Sequence, residues 1–189
     1  MQVRNAHIDQ LIESCKKGSQ SAQFEVYQLY YKAMFNTSLR IVQNSYEAED
    51  VMQEAFLNAF TKLDSFKGEV AFGAWLKRIV INRSLTQLKK RSRLNETNLE
   101  VVDYKLEGDS AEEGMSELDL THSKVQEVLH DMDKLKDNYR VILHLSLIEG
   151  YDNEEITKIL QISTENCRTT ISRAKARVRR ILMEASAVN

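Results

Sequence analysis

The chain has no proline and only six glycines in 189 residues. Proline breaks helices and glycine populates tight turns, so this scarcity favours long helices over a turn-rich β architecture. Cysteine is scarce as well. Cys15 and Cys167 lie far apart, and neither belongs to a CxxC pair. The four histidines, His7, His122, His130 and His144, stand in no ligand spacing with them. No metal site is expected, and the thiols suit the reducing cytoplasm. No apolar run approaches membrane-spanning length, and the N-terminus lacks the apolar core of a signal peptide. A cytoplasmic chain without membrane insertion is expected. There is also no nucleotide-binding glycine loop and no catalytic dyad, so neither an enzyme nor a cofactor is expected.

What is present is charge, strongly segregated. The formal net charge is only −2, with 29% of residues charged and 42% hydrophobic, enough for packed cores. Residues 77–93 hold Lys77, Arg78, Arg83, Lys89, Lys90, Arg91 and Arg93 and no acid. Residues 95–119 hold Glu96, Glu100, Asp103, Glu107, Asp109, Glu112, Glu113, Glu117 and Asp119 against Lys105 alone. Near-neutral net charge therefore does not argue against nucleic acid, because local patches make the contacts.

Helical periodicity divides the chain. A first helix is expected from Ala6 to Lys17, stopped by Gly18. A second has Phe24, Tyr27, Tyr31, Phe35 and Val42 on one face. Asn44, with Glu47 three residues on, predicts the cap of a third, whose buried face is Met52, Phe56, Ala59, Phe60 and Leu63. A loop spans Asp64 to Val70 with Gly68 as breaker. A fourth helix begins near Ala71 and carries Phe72, Trp75, Ile79, Leu85 and Leu88, with Phe72 and Trp75 expected in the core. From Asn95 to Asp119 periodicity stops and the composition becomes acidic, with Gly108, Ser110 and Gly114. That stretch reads as a flexible linker whose charge keeps it off nucleic acid. Helical pattern resumes with Val125, Val128, Leu129, Met132 and Leu135. Asp137 is expected to cap a helix carrying Val141, Ile142, Leu145 and Ile148, ended by Gly150.

The last forty residues are the most informative. Asp152 with Glu155 looks like a capping box for a short helix carrying Ile156, Ile159 and Leu160. A tight turn follows, with Ser163 or Thr164 as the next cap. In the second helix Cys167, Ile171, Ala174, Val178 and Ile181 recur at spacings of four and three, one seam that must be buried. Arg168, Ser172, Lys175 and Arg179 form an adjacent stripe, while Thr169, Arg173, Ala176 and Arg180 lie opposite the seam. This is the layout of a helix-turn-helix with a basic, hydroxylated recognition helix. A solvated basic face on an ordinary helix is the plainer alternative.

On these residues the chain resembles the extracytoplasmic-function (ECF) sigma factors of bacterial RNA polymerase. The resemblance rests on FEVYQLYY (Phe24 to Tyr31), AEDVMQEAFLNAF (Ala48 to Phe60), FKGEVAFGAWLKRIVINR (Phe66 to Arg83), YRVIL (Tyr139 to Leu143), EGY (Glu149 to Tyr151) and the run from Glu154 to Arg177. It implies an all-α fold of two small helical domains joined by a flexible acidic linker, the second containing the helix-turn-helix. The expected boundaries are 1–94 for core-polymerase binding and minus-ten recognition and melting, 95–120 for the linker, and 121–189 for minus-thirty-five recognition. It implies that Glu49, Asp50, Gln53 and Glu54 face core RNA polymerase, although without the resemblance they read as a solvated helix face. It implies a minus-ten surface of Asp64, Phe66, Lys67 and Gly68 in the loop, with Lys77, Arg78, Asn82, Arg83, Lys89, Lys90 and Arg91 on the helix that follows. It implies a minus-thirty-five surface of Arg168, Thr169, Ser172, Arg173, Lys175, Arg179 and Arg180. Promoter DNA, core polymerase and an anti-sigma factor are the implied partners. The chain departs from the family pattern at Thr157, where a small residue is usual, and at Gln161, where a glycine is usual. It also departs over Glu165, Asn166, Cys167, Arg168, Thr169 and Thr170, where the family often has Gly-Thr-Val-Lys-Ser-Arg. The rival readings are a free-standing helix-turn-helix regulator, which leaves the N-terminal half unexplained, and a sigma-like interaction protein that does not initiate transcription.

Overall fold

Capping chemistry sets the helix boundaries of the N-terminal half. The computed structural model describes residues 6–97 and 117–186, with side chains over 6–93 and 125–184. The chain separates into two units, Met1–Asp103 and Tyr104–Asn189, and no strand occurs among the described residues. In the first unit α1 (Ala6–Lys16) ends before Gly18, whose φ of 83° a side chain would resist. Ser19 then caps α2 (Gln20–Val42), its hydroxyl accepting from the Ala22 N–H at 3.3 Å. Gln43 closes α2 in the left-handed region at φ 53°, and Asn44 starts α3 (Ser45–Thr61) by accepting from the Glu47 N–H at 2.9 Å. Such a cap is worth about 1 kcal/mol. A single 3-10 turn, Leu63–Ser65, leads through Gly68 (φ 71°) to α4 (Phe72–Thr97).

Helices α2, α3 and α4 pack on one another, with α1 against α2. Val26, Met34, Ala48, Met52, Ala55, Phe56, Ala59, Leu63, Phe72, Leu76 and Val80 make the core. Each large apolar side chain buried there contributes roughly 1.5–3 kcal/mol. Phe72 is in the core as expected, whereas Trp75 is only partly buried against it. Of the face expected on α2, Val42 is buried and Tyr27 and Phe35 pack partly against the core, whereas Phe24 and Tyr31 do not. Phe24 is 62% and Tyr31 45% exposed, because α2 turns Ala22, Val26, Met34 and Ile41 inward instead. Tyr27 sits between, stacked on Tyr31 with ring centroids 5.7 Å apart and 4.9 Å from Phe56.

The expected linker begins and ends in helix, since α4 continues to Thr97 and α5 (Glu117–Asp133) starts before residue 120. The rest of that stretch lies outside the described residues.

In the second unit α5, α6 (Asp137–Leu143) and α7 (Asn153–Leu160) assemble with α8 (Thr164–Ser186). Asp137 is not the cap of α6. Lys136 holds the extended cap conformation and Asp137 is the first helical residue. There its carboxylate complements the helix dipole and accepts from the fully buried Arg140 guanidinium at 2.6 Å. Beyond α6 a π-turn, His144–Ile148, widens the helix before Gly150 (φ 76°) ends it. His144 is buried, with Nε2 3.0 Å from Asp133 Oδ1. Met132, Leu135, Val141, Ile142, Leu143 and Leu145 fill this core, whereas Val125, expected among the apolar positions of α5, is half exposed.

Candidate nucleic-acid interface

Helix α7 starts with the full capping box: Asp152 Oδ1 accepts from the Glu155 N–H at 2.8 Å, and Glu155 Oε2 accepts from the Asp152 N–H at 2.9 Å. Gln161 makes the turn. Its φ of 57° and ψ of 46° are left-handed, and its N–H closes on the Thr157 carbonyl. The turn therefore forms without the usual glycine. Ser163 supplies the cap of α8, its hydroxyl accepting from the Asn166 N–H at 3.1 Å. Cys167, Ile171, Ala174 and Val178 are buried, against a core that includes Ile156 and Ile159 of α7, and Ile181 is half-buried. The seam is as its spacing predicts. It leaves Arg168, Thr169, Ser172, Arg173, Arg179 and Arg180 exposed and Lys175 half-exposed. Arg180 lies 3.8 Å from Glu184, one helical turn on. Burial pushes the Cys167 thiol up, with Arg168 acting weakly the other way, and burial alone pushes Cys15 up. Both are packing residues in the thiol form.

In the first unit the basic helix α4 presents a second surface. Arg78, Asn82, Thr86, Lys89 and Arg93 recur three or four residues apart, so they share one stripe, with Lys90 at its edge. Asn82, Thr86, Lys89 and Lys90 are exposed, and Lys77 and Arg78 are partly buried with partners of their own. Thr86, which sequence reasoning passed over, donates to the Asn82 carbonyl at 2.9 Å and lies on this stripe. Asp64 and Lys67 are exposed at the loop that precedes the helix. Phe66 is half-buried. Its ring centroid lies 5.4 Å from that of Phe72 and 5.3 Å from that of Trp75, and Tyr30 extends the cluster at 5.6 Å from Phe72. A ring fixed this way loses little freedom when another ring stacks on it. Gly73 leaves room for the Tyr30 ring, since a Cβ there would meet Tyr30 Cε1 at 2.8 Å.

Two of the basic residues do something spacing could not reveal. Arg91 is partly buried and donates from Nη1 to the Val42 carbonyl at 2.8 Å, with Glu47 at 3.4 Å. It ties α4 to the end of α2 and the start of α3. Arg83 forms an ion pair with Glu54 across α3 and α4. Residues expected to meet two different partners are thus in mutual contact.

The acidic residues of α3 form a face that meets α4 through Glu54. Glu49, Asp50, Gln53 and Glu54 are all exposed, and Gln53 Nε2 donates to Glu49 Oε1 at 3.2 Å. Beside them lies an open groove lined by Gln20, Gln23, Phe24, Tyr27, Gln53, Phe56, Leu57 and Phe60. Leu57 is 68% exposed at its rim. Its signal was present: Leu57 is apolar but falls off the seam that buries Met52, Phe56 and Ala59. No helix among the described residues is long and apolar enough to cross a membrane, and no metal-holding cluster occurs among them.

Residues 26–94 match sigma-70 region 2, and residues 126–178 match sigma-70 region 4. The chain is 30% identical over 180 residues to the RNA polymerase sigma-H factor of Pseudomonas aeruginosa, covering 92% of each protein. It is 29% identical over 186 residues to the ECF RNA polymerase sigma factor SigW of Bacillus subtilis, covering 94% of this chain and 97% of that one. Among solved structures it shares its fold with the sigma factor RpoE from Bartonella quintana, crystallised with the anti-sigma factor NepR. The TM-score there is 0.63 at 23% identity, over 84% of this chain and 95% of that one. With both sigma-70 regions in order and relatives matched nearly end to end, this chain belongs to the ECF sigma factors of bacterial RNA polymerase.

Proposed function

We propose that this sigma factor binds core RNA polymerase in the cytoplasm, directs it to a specific set of promoters and promotes melting of their minus-ten region. It contributes recognition and strand capture, and the chemistry of RNA synthesis belongs to the polymerase. The observation that carries the reading is the pairing of two separate basic surfaces, on α4 and α8, with the two sigma-70 regions that match those same segments. A free-standing helix-turn-helix regulator has no use for the first unit.

The division of labour follows from chemistry. Residues 1–94 carry polymerase binding and minus-ten recognition, 121–189 carry minus-thirty-five recognition, and 95–120 join them. The acidic face of Glu49, Asp50, Gln53 and Glu54 docks on the polymerase, and the adjoining apolar groove supplies contact area that exposed charge alone does not. A base flipped from the displaced strand needs a stacking surface and edge hydrogen bonds, and the strand itself needs cations. Phe66, Asn82 and the loop residues Asp64, Lys67 and Gly68 offer the first two. Lys77, Arg78, Arg83, Lys89 and Lys90 offer the third. Arg91 contributes chiefly by holding α4 in place. On α8, Arg168, Thr169, Ser172 and Arg173 face bases, and Lys175, Arg179 and Arg180 face phosphate. An anti-sigma factor, as found with the Bartonella relative, would silence the protein by covering these surfaces.

The test is in vitro transcription with purified core polymerase and a promoter library. Promoter-selective transcripts that appear only when this protein is added are expected. Tight sequence-specific duplex binding with no effect on initiation would favour the free-standing regulator.

A further inference from the structure

Asn166 was not among the residues expected to read DNA, yet its side chain is prepared for it. It occupies the third position of α8, fixed by the hydrogen bond from its N–H to Ser163 Oγ at 3.1 Å. Its side chain is exposed, and its Oδ1 accepts from the Thr170 hydroxyl at 3.0 Å. Thr170 is half-buried and β-branched, so packing and its own stiffness hold the hydroxyl. The bond therefore sets the plane of the Asn166 amide. An amide oxygen has two lone pairs, so Oδ1 keeps one acceptor site, and Nδ2 keeps both donors. One acceptor beside one donor, in a fixed plane, is the complement of the adenine N6–H and N7 pair in the major groove.

Position supports the chemistry. The N-terminal turns of a recognition helix are those that reach base edges. Asn166 shares the outward side of α8 with Thr169 and Arg173, away from the seam of Cys167, Ile171 and Ala174. Asn166 and Arg173 are seven positions apart, which is about 10 Å of helix at roughly 1.5 Å per residue. Base pairs are stacked about 3.4 Å apart, so the two side chains address positions about three base pairs apart.

We infer that Asn166, oriented by Thr170, is a specificity-determining residue that reads an adenine in the upstream promoter element, about three base pairs from the position read by Arg173. This rests on the proposed upstream-element role of α8. It assigns part of the promoter sequence to a named pair of side chains.

The experiment is transcription by core polymerase with this protein from a library randomised across the upstream element, sequencing the transcribed promoters. Parent, Asn166→Ala, Asn166→Asp and Thr170→Val proteins are compared, each first shown by thermal melting to be folded. The parent is expected to enrich adenine at one position by roughly five- to hundredfold, the discrimination of one bidentate contact. Asn166→Ala flattens that position and leaves the Arg173 position intact. Asn166→Asp disfavours adenine there, because a carboxylate offers no donor to N7. Thr170→Val keeps adenine as the preferred base but lowers its enrichment several-fold, as expected of a positioning residue. An unchanged profile in Asn166→Ala, or an equal loss at every promoter, overturns the assignment. A parent that transcribes with no promoter preference overturns instead the sigma-factor reading on which it rests.

Discussion

Gln161 stands in the left-handed region at φ 57°, where a side chain costs roughly 1–2 kcal/mol and glycine costs nothing sterically. Glycine loses more freedom on folding, which returns part of that gain. Gln161→Gly is therefore expected to stabilise the second unit by roughly 0.5–1 kcal/mol, seen as a rise of a few degrees in its melting temperature. A lower melting temperature would mean the Gln161 side chain makes a contact worth more than the strain. At this scale the sequence was legible at most of its caps, Asp137 being the exception, since Lys136 takes the cap position of α6. Asn44 with Glu47, and Asp152 with Glu155, cap their helices as their spacing predicts, because capping involves residues three apart. Arg91 and Arg83 were not legible in this way. Their partners Val42, Glu47 and Glu54 are distant in sequence, and a run of basic residues does not disclose which of its charges are already engaged.

Element faces were legible where one apolar seam is unambiguous, as in α8. They were less so in α2, where Ala22, Val26, Met34 and Ile41 are buried while Phe24 and Tyr27 line a groove. That groove and the acidic face of α3 carry the prediction for this pair of helices. Asp50→Lys with Glu54→Lys is expected to weaken association with core polymerase while leaving the melting temperature within about one degree, since exposed charge changes alter stability little. Unchanged affinity in a titration would remove α3 from the interface. Glu54 also holds Arg83, but an exposed pair of this kind is worth about 0–1 kcal/mol, so its loss does not threaten the fold. For α4 and the loop before it, Phe66→Ala or Asn82→Ala is expected to lower open-complex formation more than closed-complex binding. Base stacking on an aromatic ring is worth about 1–3 kcal/mol, a roughly tenfold effect or more. Permanganate reactivity of unpaired thymines reports it, and equal melting by variant and parent would refute the role. Phe66→Ala also loosens the cluster with Phe72 and Trp75, so Asn82→Ala is the cleaner variant. For α8, Arg173→Ala is expected to relax preference at one upstream position by about 1–3 kcal/mol. Arg179→Ala and Arg180→Ala should instead weaken all promoters alike and flatten the salt dependence, as phosphate contacts do. The same randomised element transcribed at two salt concentrations separates these outcomes. A uniform loss with Arg173→Ala would assign it to positioning.

At the scale of the whole chain, the segregation of charge is the organising fact. Basic surfaces on α4 and α8 are separated in sequence by the acidic run between residues 95 and 119. Both sigma-70 regions are present, one in each unit. With each unit contacting DNA as proposed, joining them makes the second contact intramolecular and raises its effective concentration. That advantage depends on reach and disappears when the connection cannot span both sites. Scrambling residues 98–116 at constant composition is thus expected to leave transcription largely intact, because composition sets reach and charge while order adds little. Deleting most of the same stretch is expected to abolish transcription from promoters that need both elements. Mixing the two units as separate polypeptides should not restore it, since both would then have to bind from dilute solution. Transcript yield from one strong promoter, compared among the parent, scrambled, deleted and split proteins, decides the matter. Full activity of the deleted protein would mean that a single unit suffices for promoter choice, and the two-site account of this sigma factor would fail with it.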